Sequence, residues 1–137
     1  MDVDGSCHCG YVKFECKIEP QSVSICHCTD CQQISGSAFR INAPAAAKDL
    51  RITAGEPKTY VKHTADSGKL RENAFCPHCG SALYAAPHNP GTREFVVNIR
   101  VSALRQRGEL PPTSQNWMRS AQAWMQDALP IPKNEKV

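Results

Sequence analysis

A mainly β chain with a few short helices is what this 137-residue sequence predicts. Three observations carry that expectation. Residues 12–19 alternate between apolar and charged side chains, and the apolar residues Phe95, Val97, Ile99 and Val101 recur with the same period of two. Around them lie several short runs of strand-forming residues, separated by turns rich in Gly and Pro. The length fits one ordinary domain over residues 1–137, and no linker, repeat or low-complexity tract divides it.

The elements follow in order. Val12, Phe14, Cys16 and Ile18 share one face of a strand, and Lys13, Glu15, Lys17 and Glu19 the other, with Pro20 as its stop. A second short strand, Val23–Ile25, runs into Cys26-His27-Cys28. Thr29 with Gln32 makes a capping-box pattern, and Gly36 supplies a C-terminal stop, so one or two turns of helix are expected over Asp30–Ser35. Short strands are expected at Phe39–Asn42, Arg51–Thr53 and Thr59–His63, with a turn at Ala43–Ala47 and another at Thr64–Gly68. Glu72–Phe75 leads into a cysteine pair and Ala82–Ala85 leads out of it. His88–Thr92 is a loop, and the strand Phe95–Val101 follows. Trp117, Met118, Ala121, Trp124, Met125 and Ala128 recur at helical spacing, which predicts a helix over Trp117–Leu129, ended by Pro130 and Pro132.

Composition narrows the function. Hydrophobic residues make up 41% and charged residues 21%, the balance of a globular chain rather than a disordered one. No apolar run approaches the roughly 20 residues that span a bilayer. The start, Met1-Asp2-Val3-Asp4-Gly5, is acidic and lacks the apolar stretch of a signal peptide, so a cytoplasmic location is expected. There, 8 cysteines would not rest as disulfides, and metal binding is the first alternative.

Seven cysteines form three groups. Cys7-His8-Cys9 is C-x-C, Cys26-His27-Cys28-Thr29-Asp30-Cys31 is C-x-C-x-x-C, and Cys76-Pro77-His78-Cys79-Gly80 is C-P-x-C-G. The last has the shape of a zinc knuckle: Pro77 presets φ, Gly80 can take a positive φ, and backbone N–H groups point at the sulfurs. A knuckle supplies two of the four ligands of a structural zinc, and Cys7 with Cys9 supplies the other two most economically. The competing reading for these four is a disulfide pair or free thiols. Cys26, Cys28 and Cys31 can face one metal ion while leaving a tetrahedral position open, the feature that separates a catalytic zinc from a structural one. The alternatives are a redox C-x-x-C, or a zinc whose fourth ligand is His27, His63, His78 or His88. His27 and His78 lie between ligand cysteines and are expected to be solvated. Cys16, on the apolar face of a strand, reads as a small core residue.

Taken together, Gly5-Ser6-Cys7-His8-Cys9-Gly10, Cys26–Cys31 with Ser35-Gly36-Ser37-Ala38-Phe39, and Phe75-Cys76-Pro77-His78-Cys79-Gly80 resemble the glutathione-dependent formaldehyde-activating enzyme family, which includes centromere protein V. The resemblance spans residue 5 to about residue 130. It implies coiled, mainly antiparallel β-sheets of the Rab-chaperone and methionine sulfoxide reductase B type. It implies a structural zinc on Cys7, Cys9, Cys76 and Cys79 and a catalytic zinc on Cys26, Cys28 and Cys31, two per chain, with partial filling expected only at the second. The implied activity is that of S-(hydroxymethyl)glutathione synthase, a carbon–sulfur lyase. This chain is short for that enzyme, and Gln115-Asn116-Trp117 stands where the family often carries a histidine.

The leading expectation is therefore a zinc-dependent enzyme acting on a small thiol or aldehyde, glutathione being the thiol the resemblance suggests. Ser35, Gly36 and Ser37 are candidate donors to the substrate oxygen, though a helix cap and turn is the simpler role for them. His27 and Asp30 are candidate proton carriers. A non-catalytic zinc interaction module and a thiol redox or zinc-release sensor are the alternatives. The formal charge of +3 first suggests weak attraction to nucleic acid or anionic membrane. Seven thiolates and two zinc ions take that charge to zero, and four thiolates with one zinc take it to +1. A near-neutral zinc protein with neither a nucleic-acid nor a membrane partner is the resulting expectation.

Overall fold

The computed structural model describes residues 1–126. Among these residues ten strands and two α-helices appear in the order β1 (Asp2–Ser6), β2 (Lys13–Lys17), β3 (Ser24–Cys26), α1 (Thr29–Ser35), β4 (Arg40–Ala46), β5 (Arg51–Ala54), β6 (Lys58–Lys62), β7 (Arg71–Phe75), β8 (Ala82–Pro87), β9 (Val96–Arg100), β10 (Ser114–Asn116) and α2 (Ala123–Gln126). The mainly β expectation holds. β1, β2 and β5 form a three-stranded sheet, and the other strands form a seven-stranded sheet in the order β10-β3-β4-β9-β8-β7-β6. All pairings are antiparallel except β10 with β3.

The alternating segments form strands because one face of each is buried. Phe14 and Cys16 point inward from β2, and Val97 and Ile99 from β9. With Ile18, Leu83, Leu104 and Leu110 they make one continuous apolar core. Cys16 is buried there, as a small core residue would be.

One strand has no clear sequence signal, and three local expectations are corrected. β1 carries no clear alternation beyond Val3 and Gly5, yet it pairs with the whole of β2. Ala43–Ala46 is the second half of β4, not a turn. Pro44 is tolerated there because β3 has ended: β3 pairs with Arg40–Asn42, so the missing N–H leaves no partner unserved on that side. The capping box also fails. Cys28 caps α1, its sulfur accepting from the Cys31 N–H, while Gln32 turns back to donate to the carbonyls of His27 and Ser120.

The predicted helix over Trp117–Leu129 is the third correction. Trp117 adopts φ 61°, a left-handed conformation that ends β10 and admits no continuous helix. A 3-10 turn at Met118–Ser120 and the four residues of α2 follow. Residues 127–129 of the predicted helix lie outside the described residues.

Candidate metal centres

Hairpin geometry assembles the first cysteine group. The turn between β1 and β2 carries Cys7 and Cys9, and the turn between β7 and β8 carries Cys76 and Cys79. Each turn is closed by its own backbone: Cys7 N–H donates to Val12, and Cys76 N–H to Ser81. Gly80 takes φ 73° and donates to the Cys76 carbonyl, the conformation expected at the end of a knuckle. The two tips then meet. His8 N–H donates to the Ser81 hydroxyl at 3.0 Å, and Tyr11 stacks on the exposed His78 ring with centroids 3.9 Å apart.

The four sulfurs consequently lie within 4.8 Å of one another. Cys7 and Cys9 Sγ are 3.5 Å apart, and Cys9 and Cys76 Sγ are 3.8 Å apart. Four sulfurs placed about 2.3 Å from a central zinc would have edges of about 3.8 Å. The donor set therefore fits a tetrahedral zinc. Val12 N–H donates to Cys7 Sγ at 3.2 Å, and the Ser81 hydroxyl lies 3.2 Å from Cys79 Sγ. Hydrogen bonds from the Ser81 hydroxyl and N–H hold the Cys79 thiol down at about 5.

The second group sits where β3 passes into α1. Cys26 is the last residue of the strand, Cys28 caps the helix, and Cys31 lies in its first turn. Their sulfurs also lie within 4.8 Å of one another. A hydrogen shared with Cys31 holds the Cys26 thiol down at about 5 against the effect of burial, and the Cys28 backbone and the charge of Arg100 add to it. The same shared hydrogen pushes the Cys31 thiol up. None of the eight cysteines is in a disulfide.

Among the described residues no fourth side chain joins this trio. The histidines weighed for that place are elsewhere. His63 is exposed. His78 stacks on Tyr11, and His88 Nδ1 lies 2.8 Å from Glu72. His27, expected in solvent, is 3% exposed instead, with Nε2 on the Gln115 side-chain oxygen at 2.8 Å and its ring beside Phe39. Strand β10 makes the difference, since His27 N–H also donates to the Asn116 carbonyl.

The candidate proton and oxygen donors are likewise occupied. Burial raises the Asp30 carboxyl, but hydrogen bonds from Lys62 at 2.6 Å and Thr64 at 2.9 Å outweigh it, and the net shift is downward. Gly36, at φ 66°, caps the end of α1. The Ser35 hydroxyl accepts from Ser37 N–H and donates toward the Phe39 carbonyl. The cap-and-turn role explains Ser35, Gly36 and Ser37.

Sequence reasoning missed the buried polar residues around this trio. Arg40 is 6% and Arg100 5% exposed. Arg40 pairs with Cys26 across β3 and β4, and Arg100 with Asn42 across β4 and β9, so all four share one face of the sheet. Arg100 donates to the side-chain oxygens of Asn42 and Asn73. The available signal was the polar half of the alternation in β9, where Asn98 and Arg100 lie opposite the core-facing Val97 and Ile99. An open groove of about 1390 Å³ is lined by Ser35, Ser37, Cys79, Ser81, Arg105 and Arg107 and also reaches Arg40 and Arg100; the three cysteines do not line it.

A family model described as glutathione-dependent formaldehyde-activating enzyme matches residues 2–120. The chain belongs to this family. A Halomonas elongata relative named "Putative glutathione-dependent formaldehyde-activating enzyme" is 31% identical over an 87-residue alignment that covers 61% of this chain and 55% of that protein. The chain thus spans about half the length of this curated relative of the formaldehyde-activating family. A crystal structure of a Rhodobacter sphaeroides protein is similar in fold, with a TM-score of 0.60 at 22% identity over 82% of this chain and 98% of that one. Among the described residues no helix is long and apolar enough to cross a membrane.

Proposed function

We propose that this chain, as one domain with the coiled antiparallel sheets its family resemblance implies, is a zinc-dependent carbon–sulfur lyase acting on a small thiol–aldehyde adduct. Its reaction would resemble that of S-(hydroxymethyl)glutathione synthase. The observation that carries the reading is the convergence of Cys26, Cys28 and Cys31 with no fourth protein ligand among the described residues. Three sulfur donors and an open position suit a reactive zinc, and four suit a structural one.

When bound, a zinc ion supplies Lewis acidity toward a thiolate sulfur or a carbonyl oxygen. The chain's own residues hold and orient. The Cys31 N–H fixes the Cys28 sulfur from the first turn of α1. The Gln115–His27 contact holds the loop between β3 and α1, so Cys26 and Cys28 keep their spacing. Lys62 and Thr64 anchor the start of α1 through Asp30. In the forward reaction a carbon–sulfur bond forms between thiol and aldehyde, and the thiol proton ends on the new hydroxyl group. Cys7, Cys9, Cys76 and Cys79 would tie two hairpins together.

Thiols and formaldehyde combine without a catalyst, so the test is a rate. Exchange between formaldehyde and S-(hydroxymethyl)glutathione is measured by NMR with zinc-loaded protein. Exchange well above the buffer rate, falling when the second zinc is removed, is expected. No acceleration with glutathione, cysteine or a simple thiol overturns the reading.

A further inference from the structure

Two buried arginines adjoin the three-cysteine group, and neither has an acidic partner among the described residues. The ion pairs among the described residues use Arg51, Lys62, His88, Arg105 and Arg119. Arg40 Nη2 and Arg100 Nε are buried with no hydrogen-bond partner among the described residues. The two acceptors that Arg100 does reach, Asn42 and Asn73, are neutral amides. They fix the guanidinium in place without cancelling its charge. An unneutralised cation at this depth is costly unless something of opposite sign lies near.

The neighbours of opposite sign are sulfurs. Burial and the like charge of Arg40 lower the Arg100 guanidinium to about 9, and Cys31 and Cys26 are the groups that act against that shift. Three thiolates around one divalent ion carry a formal charge of −1, which also needs compensation when partly buried. Each charge supplies what the other lacks, and the β3–β4–β9 register places both on one face of the sheet.

We propose that Arg100, supported by Arg40, is the buried counter-charge of the Cys26–Cys28–Cys31 centre and a positioning residue for its metal. The inference rests on the reading that this trio holds a metal ion. It distinguishes the two centres. The four-cysteine group has an exposed edge at Cys9 and Cys79, where water can screen its charge.

The test is a cobalt(II) titration of the reduced full chain, followed by the sulfur-to-cobalt charge-transfer absorption, with three variants. Asn73→Asp decides most, because it keeps the shape and the hydrogen bond but cancels the charge of Arg100. It and Arg100→Gln are expected to weaken the second cobalt by about tenfold or more, leaving the first unchanged, as befits the loss of a unit charge beside the centre. Arg100→Lys, which keeps the charge, should recover most of that loss. If Arg100→Gln fails to fold, Asn73→Asp still decides. Wild-type second-site affinity in Asn73→Asp overturns the inference alone. So does a loss in Arg100→Lys equal to that in Arg100→Gln, which would assign Arg100 to packing. A wild-type chain that takes up only one cobalt overturns the metal reading itself.

Discussion

His27 Nε2 lies 2.8 Å from the side-chain oxygen of Gln115, joining the loop between β3 and α1 to the strand β10 that arrives 88 residues later. An amide oxygen can only accept, so the ring nitrogen facing it carries the proton. The other nitrogen, Nδ1, is buried with no partner among the described residues. One side-chain hydrogen bond therefore fixes this ring between the two ligands Cys26 and Cys28.

Gln115→Leu removes that acceptor and leaves a buried N–H unpaired. A loss of about 1–3 kcal/mol in folding stability is expected, read from denaturant unfolding of the metal-loaded chain. Gln115→His can restore an acceptor and should recover part of the loss.

Cys76→Ser breaks the group that ties the β1–β2 hairpin to the β7–β8 hairpin. Metal binding at such a group is coupled to folding. The variant should retain at most one zinc per chain and melt about 10 °C or more below the wild type. A strong chelator should produce a similar drop in the wild type. Elemental analysis and thermal unfolding check both.

The exposed pair Asp4–Arg105 predicts a pH effect. Arg105 and Gln106 hydrogen bonds hold the Asp4 carboxyl down at about 2. Because the folded value lies below the ordinary one near 3.9, the contribution is present above about pH 4 and is lost as pH falls toward 2. Arg105→Gln should thus be slightly less stable than wild type at pH 6. That gap should close as the pH approaches 2 and shrink in high salt. Paired unfolding curves across this range measure it.

The strands most legible from sequence are those with one buried face. In β2 and β9, core residues recur every second position, and the core lies where that period puts it. The cysteine groups were legible because each is local: a hairpin tip or a strand-to-helix junction needs only a few residues to define it. Long-range polar placement was not. Arg100 occupies the half of an alternating strand that ordinarily faces water, and only the packing of β3, β4 and β7 around it makes that position buried. His27 and Gln115 are brought together by a parallel pairing between strands of three residues each, which no local pattern reveals. Trp117 sat in a run with helical spacing, but its left-handed backbone starts a 3-10 turn instead. Pro44 read as a turn because the early end of β3, which tolerates it, is a property of the sheet.

On the proposed reading, two cysteine groups hold two metals with different tasks. The most direct measurement is zinc content, melting temperature and formaldehyde–glutathione exchange rate in Cys28→Ser beside the wild type. Zinc content should fall from two to one, the melting temperature should stay close to wild type, and exchange should drop to the buffer rate. Exchange above the buffer rate and undiminished in a Cys28→Ser protein that has lost its second zinc would contradict that reading.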